Sequence, residues 1–268
     1  MKFVDKLLAA SRQNKSLLCI GLDPDPELMP KVSLLEFNKA IVDATADMVC
    51  AYKPNLAFYE ALGIEGLEAL KKTLEYIPRH IPVVGDGKRG DIGNTAKAYA
   101  KALFSTFGFD AVTVSPYLGF DSVEPFIEYK DKGVFILCRT SNPGAVDFQN
   151  LVDSQGIPLY ETVARKAMEW NVHGNIGLVV GATYPEELKR IRQLCPEMPL
   201  LIPGIGAQGG DLASAVKYGV DAQGEKALIT VSRQILYSSR ERDFAEAAQR
   251  STLELRDRIN SLVSQISR

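Results

Sequence analysis

Apolar residues gather in eight short runs along the chain, at 17–22, 48–52, 81–85, 111–115, 134–138, 176–180, 200–203 and 227–231. Runs of this length, apolar or β-branched and broken off by polar residues, predict strands buried on both faces. Between them the apolar spacing lengthens to that of a helix: Phe37, Ile41 and Ala44; Leu67, Leu70 and Leu74; Tyr99, Leu103 and Phe107; Leu188, Ile191 and Leu194. Phe3, Val4, Leu7 and Leu8 predict a short opening helix, and Phe244, Ala247, Ala248, Leu255, Ile259, Leu262 and Val263 a closing one. The strand ends, at Asp23, Lys53, Asp86, Ser115, Thr140, Gly181, Gly204 and Ser232, recur at intervals of about 30 residues, the length of a strand, a helix and two loops. Eight such units in succession predict a single (β/α)8 TIM barrel over residues 1–268, not a doubly wound sheet with a switch point. The one long interval follows the fifth strand. Residues 142–160 hold Pro143, Gly144, Gly156 and Pro158 with little periodicity, and read either as a lid on the catalytic face or as a tolerated surface insertion.

Composition narrows the function. The 268 residues are 46% hydrophobic with a formal net charge of -2, and no basic tail or Lys/Arg block stands out, so a nucleic-acid or membrane-surface role gains no support. Cys19, Cys50, Cys138 and Cys195 form no Cys-x-x-Cys pair and read as small buried hydrophobes of a reducing compartment. Residues 1–16 mix Lys and Asp with apolar side chains, unlike a signal peptide, and no apolar run reaches the ~20 residues of a membrane span. A cytoplasmic protein is expected.

In a (β/α)8 barrel the chemistry sits at the C-terminal ends of the strands. The third strand ends most abruptly: Val83-Val84-Gly85 gives way to Asp86-Gly87-Lys88-Arg89-Gly90-Asp91. Asp86 and Lys88 are two apart and in an extended chain face one side, whereas Asp91 falls beyond the strand and need not face the cavity of its own chain. An ordinary surface ion pair would look the same. What tips the balance is the company: Asp23 ends the first strand and Lys53 the second, so two lysines and two aspartates would meet at one mouth. Nothing structural requires charge at each of these ends, and lysine and aspartate are rarely buried unless paired. The fifth strand ends in Arg139-Thr140-Ser141-Asn142-Pro143-Gly144. Gly204 to Gly209 matches Gly-x-Gly-x-x-Gly, but after the seventh strand it fits a phosphate loop better than a dinucleotide fingerprint, with Gln208 and the Arg233 that follows the eighth strand as donors to the anion. The two histidines, His80 and His173, lie near strand starts without a ligand-spaced partner, so no metal site is expected, and there is no Gly-x-Ser-x-Gly elbow.

Taken in order, Asp23, Lys53-Pro54-Asn55-Leu56-Ala57-Phe58-Tyr59-Glu60, Asp86-x-Lys88-x-x-Asp91-Ile92, Ser141-Asn142-Pro143-Gly144, Gly206-Ala207-Gln208-Gly209-Gly210 and Arg233 resemble the orotidine 5'-phosphate decarboxylase family, in its longer bacterial-type branch. The resemblance covers nearly the whole chain. It implies a Lys53-Asp86-Lys88-Asp91 tetrad, Asp23 and Lys53 on ribose hydroxyls, Ser141 on the pyrimidine ring, and Gln208 and Arg233 on the phosphate. It implies a homodimer in which Asp91, Ile92 and Thr95 reach the partner's site, with orotidine 5'-monophosphate as substrate and no cofactor. Ser232 departs from the glycine expected before the arginine, a change that leaves the backbone N–H in place. Decarboxylation at C6 of the pyrimidine leaves charge that the ring delocalises poorly, so a fixed cation able to give a proton, Lys88, is the group the chemistry needs. A metal-dependent sugar-phosphate enzyme on a related barrel would carry an acid where Lys53 stands, and a barrel that only binds phosphate or nucleotide would not need the full charged set.

Overall fold

The eight apolar runs become eight parallel strands in the computed structural model, which describes residues 1–206 and 209–266. They are β1 Leu18–Leu22, β2 Ala51–Pro54, β3 Val84–Arg89, β4 Ala111–Val114, β5 Gly133–Arg139, β6 Ile176–Val180, β7 Leu200–Ile202 and β8 Ala227–Val231. The ladder runs in the order β2-β1-β8-β7-β6-β5-β4-β3, and the parallel bridges Tyr52↔Val83 and Asn55↔Asp86 bring its two edges together into a barrel. No described helix is long and apolar enough to cross a membrane.

Side-chain direction alternates along a strand, which sorts the core into two parts. The larger part lies between sheet and helices and takes Leu18, Ile20 and Leu22 from β1 with Phe37 and Ile41 from the helix Leu34–Thr45. The smaller part takes one residue from each strand, Cys19, Ala51, Val84, Ala111, Phe135, Val179, Leu201 and Leu228, and fills the barrel's lower interior. Phe3 and Leu7, from the helix Phe3–Asn14, close it from below, with the Phe3 ring edge-on to Phe135 at 5.7 Å. Two residues further along β2, β3 and β4 the same interior side carries Lys53, Asp86 and Thr113. The apolar layer is thus the floor on which the polar one stands.

Two strands depart from their predicted limits by more than one residue. Met48, Val49 and Cys50 are buried but outside the ladder, so β2 begins at Ala51. Ile81 and Pro82 are likewise buried ahead of β3, while its pairing continues through the charged residues to Arg89. An apolar run reports burial, whereas the ladder follows backbone hydrogen bonding, and at this mouth the two are offset. The expectation that Asp86 and Lys88 share a side by plain extension also changes: Lys88 has φ 46, and the register between β3 and β4 slips between Gly85 and Arg89. The two side chains do meet, through a bulge.

The long segment after β5 folds into a 3-10 turn, Pro143–Ala145, and one helical turn, Val146–Gln149. Gln149 ties it down: its Oε1 accepts from the Thr140 N–H at 2.8 Å and its Nε2 donates to Thr140 Oγ1 at 2.8 Å. An antiparallel bridge, Val152↔Pro158, follows before the helix Leu159–Trp170.

Candidate active site

Asp86 is the hub of the mouth. Lys53 Nζ donates to its Oδ2 at 2.8 Å, and Lys88 Nζ and Thr113 Oγ1 both donate to its Oδ1 at 2.8 Å. Burial opposes charge on Asp86, but the Lys53 and Lys88 ammonium groups and their hydrogen bonds outweigh it and hold the carboxyl well below the usual carboxylate range. Burial likewise opposes charge on Lys53, and there Asp86, then Asp23, outweigh it and raise its value above the ordinary lysine range. The two lysines differ in exposure. Lys53 is enclosed, with 6% of its side chain accessible, while Lys88 keeps 49% open toward the mouth. The arrangement is a buried ion pair that presents a second, accessible cation.

Asp23 stands beside this cluster. Its Oδ1 accepts from the Asn55 N–H at 3.2 Å, and its carbonyl accepts from the Tyr237 hydroxyl at 2.9 Å. Asn55 in turn caps the short helix Leu56–Glu60 through the Ala57 N–H. Asp91 is not drawn in. It lies between β3 and the helix Gly93–Lys101, accepts from the Ile92 N–H at 2.8 Å, and forms no ion pair among the described residues. Ile92 is 55% exposed, and Thr95, in the first turn of that helix, is exposed too.

Across the mouth, Ser141, Asn142, Pro143, Thr183 and Tyr184 line a cavity of about 410 Å³ at the ends of β5 and β6. Thr183 Oγ1 donates to the Ser141 carbonyl at 3.0 Å. The neighbouring Arg139 is fully buried, with its guanidinium 3.5 Å from the centre of the Tyr184 ring. Beyond β7, Gly204, Gly206 and Gly209 have φ of 101, 77 and 80, values that a side chain would strain, and the Gly210 N–H donates to the Gly204 carbonyl at 3.0 Å. Gln208 lies outside the described residues. Arg233 is exposed and opens the helix Arg233–Leu236 after β8. Ser232 has φ -120, so no glycine is needed there, and its hydroxyl occupies space that a Cβ on Gly21 would invade. Serine at 232 and glycine at 21 fit each other.

Thr113 escaped the sequence reading because a threonine inside a strand is an ordinary β-former. Its only signal was parity: it falls two residues after Ala111, on the side that faces the barrel interior. The four cysteines are free and buried, and burial pushes their thiols up, so they behave as the hydrophobes expected.

An eight-stranded parallel barrel with paired charges at its C-terminal mouth is the architecture of a (β/α)8-barrel enzyme. Comparison narrows the class: the chain belongs to the Orotidine 5'-phosphate decarboxylase / HUMPS family, whose model matches residues 16–249, and it is a carboxy-lyase. An orotidine 5'-phosphate decarboxylase of Dehalococcoides mccartyi is 58% identical over 264 residues, 97% of this chain and 98% of the relative. Another from Herpetosiphon aurantiacus is 55% identical over 255 residues, 92% and 94% of the two chains. Among solved structures, OMP decarboxylase of Leishmania donovani superposes with a TM-score of 0.86 at 42% identity, covering 98% of this chain and 99% of that one.

Proposed function

We propose that the mouth decarboxylates orotidine 5'-monophosphate to uridine 5'-monophosphate without a metal or organic cofactor, and that Lys88 stabilises and then protonates C6. The observation that carries this reading is the shared anion: one buried carboxylate anchors two ammonium groups, and only Lys88 is open to a ligand. The bond between C6 and the carboxylate carbon breaks, carbon dioxide leaves, and the electron pair stays on C6. A proton from Lys88 Nζ then forms the new C6–H bond, and solvent restores the lysine. A cation fixed before the reaction needs no reorganisation as the charge develops.

Asp86 also adjoins the position of the substrate carboxylate in this reading. Two unit charges ~3 Å apart at an effective dielectric of ~20 repel by about 5 kcal/mol. Lys53, Lys88 and Thr113 already neutralise or bind Asp86, so most of that repulsion is offset. Stabilisation of the developing charge by Lys88 is therefore the larger contribution.

Asp23 and Lys53 hold the ribose hydroxyls, Ser141 reads the pyrimidine, and Gln208 and Arg233 grip the phosphate. Binding energy gathered there, away from C6, drives closure and water exclusion. The working unit is a homodimer of the cytoplasm in which Asp91, Ile92 and Thr95 complete the partner's site. An Asp91 that forms no ion pair among the described residues and an exposed Ile92 support this. The test is Lys88→Ala: turnover is expected to vanish while uridine 5'-monophosphate still binds by calorimetry. Retained turnover would remove Lys88 as the acid.

A further inference from the structure

β3 and β4 run out of step where the charges lie. Gly85 pairs with Val112 and Arg89 with Val114, so Asp86, Gly87 and Lys88 all lie opposite Thr113. Bulges re-aim side chains and gather next to active sites. This one puts Lys88 at φ 46, a left-handed conformation that a residue with a Cβ keeps only when its surroundings hold it there.

Thr113 closes the bulge at both ends. Its Oγ1 accepts from the backbone N–H of Lys88 at 2.9 Å and donates to Asp86 Oδ1 at 2.8 Å. The Lys88 ammonium meets that same oxygen at 2.8 Å. One hydroxyl therefore fixes the backbone of the cation and the orientation of the anion that anchors it. Thr113 is 1% exposed, so bulk water does not compete for these hydrogen bonds.

We propose that Thr113 is a positioning residue for decarboxylation: its hydroxyl clamps the β3 bulge and aims Lys88 Nζ at C6. This rests on the reading of Lys88 as the proton donor. Thr113 acts through Lys88, while affinity comes from the phosphate and ribose contacts elsewhere on the rim. Its loss should therefore fall on kcat rather than KM. Valine keeps the shape of threonine but leaves the Lys88 N–H without its acceptor and Asp86 without one donor. Serine keeps both hydrogen bonds.

The experiment compares Thr113→Val, Thr113→Ala, Thr113→Ser and Lys88→Ala with the unchanged protein, by thermal melting, turnover of orotidine 5'-monophosphate and binding of uridine 5'-monophosphate. Thr113→Val is expected to lower kcat by about 10²-fold, the scale of a misplaced reacting group, with KM and product affinity within about twofold. Thr113→Ser is expected to restore most of that loss. If Thr113→Val does not fold, Thr113→Ala carries the same expectation without the extra methyl. Unchanged kcat in the valine and alanine variants would overturn the proposal, as would equal losses in the serine and valine variants, or a loss confined to KM. Full turnover by Lys88→Ala would overturn the reading beneath it, a result separate from any Thr113 outcome.

Discussion

At the scale of single residues, the site depends on Asp86 staying charged in a buried place. Removing its charge strands Lys53, which is also buried, and a broken buried pair costs about 3–5 kcal/mol. Asp86→Asn should therefore lower the unfolding free energy by about 3–5 kcal/mol, measured by urea denaturation. The pH dependence has a definite sign. Asp86's folded value lies below its unfolded one, so its contribution is full above the ordinary carboxylate value near ~3.9 and is lost as pH falls through the depressed folded value. Lys53's is raised, so its contribution is full below ~10.4 and is lost only as pH rises through the higher folded value. The stability gap between the unchanged protein and Asp86→Asn should stay level from about pH 5 to 9 and narrow in stronger acid, as Asp86 protonates, and in stronger alkali, as Lys53 loses its proton. A gap that closed near neutrality would contradict the assignment. Asp86, Lys88, Lys53 and Asp23 were legible in the sequence because charge following an apolar run is unusual. Thr113 was not, because its partners come from the neighbouring strand and one chain does not announce its register.

At the scale of elements, short apolar runs located the eight strands and helical spacing located the two terminal helices and those after β1, β2, β3 and β6, whereas Phe120–Ile127, Leu159–Trp170 and Leu212–Gly219 were not named. The limits of β2 and β3 were not legible, because apolar residues continue into buried turns and pairing continues into charge. The bulge at Lys88 was hidden for the same reason: no residue type in Asp86-Gly87-Lys88 forces the positive φ onto the lysine. The helix Phe3–Asn14 was predicted, but its role as the barrel's floor emerges only from packing. Phe3 is buried against Phe135, and Gly133 lacks the Cβ that would collide with the Phe3 ring. Phe3→Ala should cost about 3–5 kcal/mol of stability, the usual range for a buried aromatic truncated to alanine. Because Phe3 lies at the end of the barrel opposite the mouth, kcat of the folded variant should stay within about twofold. A large fall in kcat with stability intact would mean that the floor and the mouth are coupled.

At the scale of the whole molecule, eight units build a scaffold with paired charges at one end, and Asp91 stands beyond β3 with no ion pair among the described residues. If Asp91 completes a partner's site, mixing inactive Asp91→Ala and Lys88→Ala proteins should restore activity, since a mixed dimer holds one site with both residues intact. With random exchange, half the molecules are mixed and each carries one good site, so up to about a quarter of full activity should return. No recovery after confirmed subunit exchange would place Asp91's role within its own chain. The central claim is metal-free decarboxylation at this mouth. It is tested most directly by the ultraviolet absorbance of orotidine 5'-monophosphate with purified, chelator-treated protein, beside Lys88→Ala. Rapid conversion to uridine 5'-monophosphate by the unchanged protein, and none by Lys88→Ala, is expected. Conversion that disappears on chelation and returns with an added divalent cation, or that survives Lys88→Ala, would contradict it.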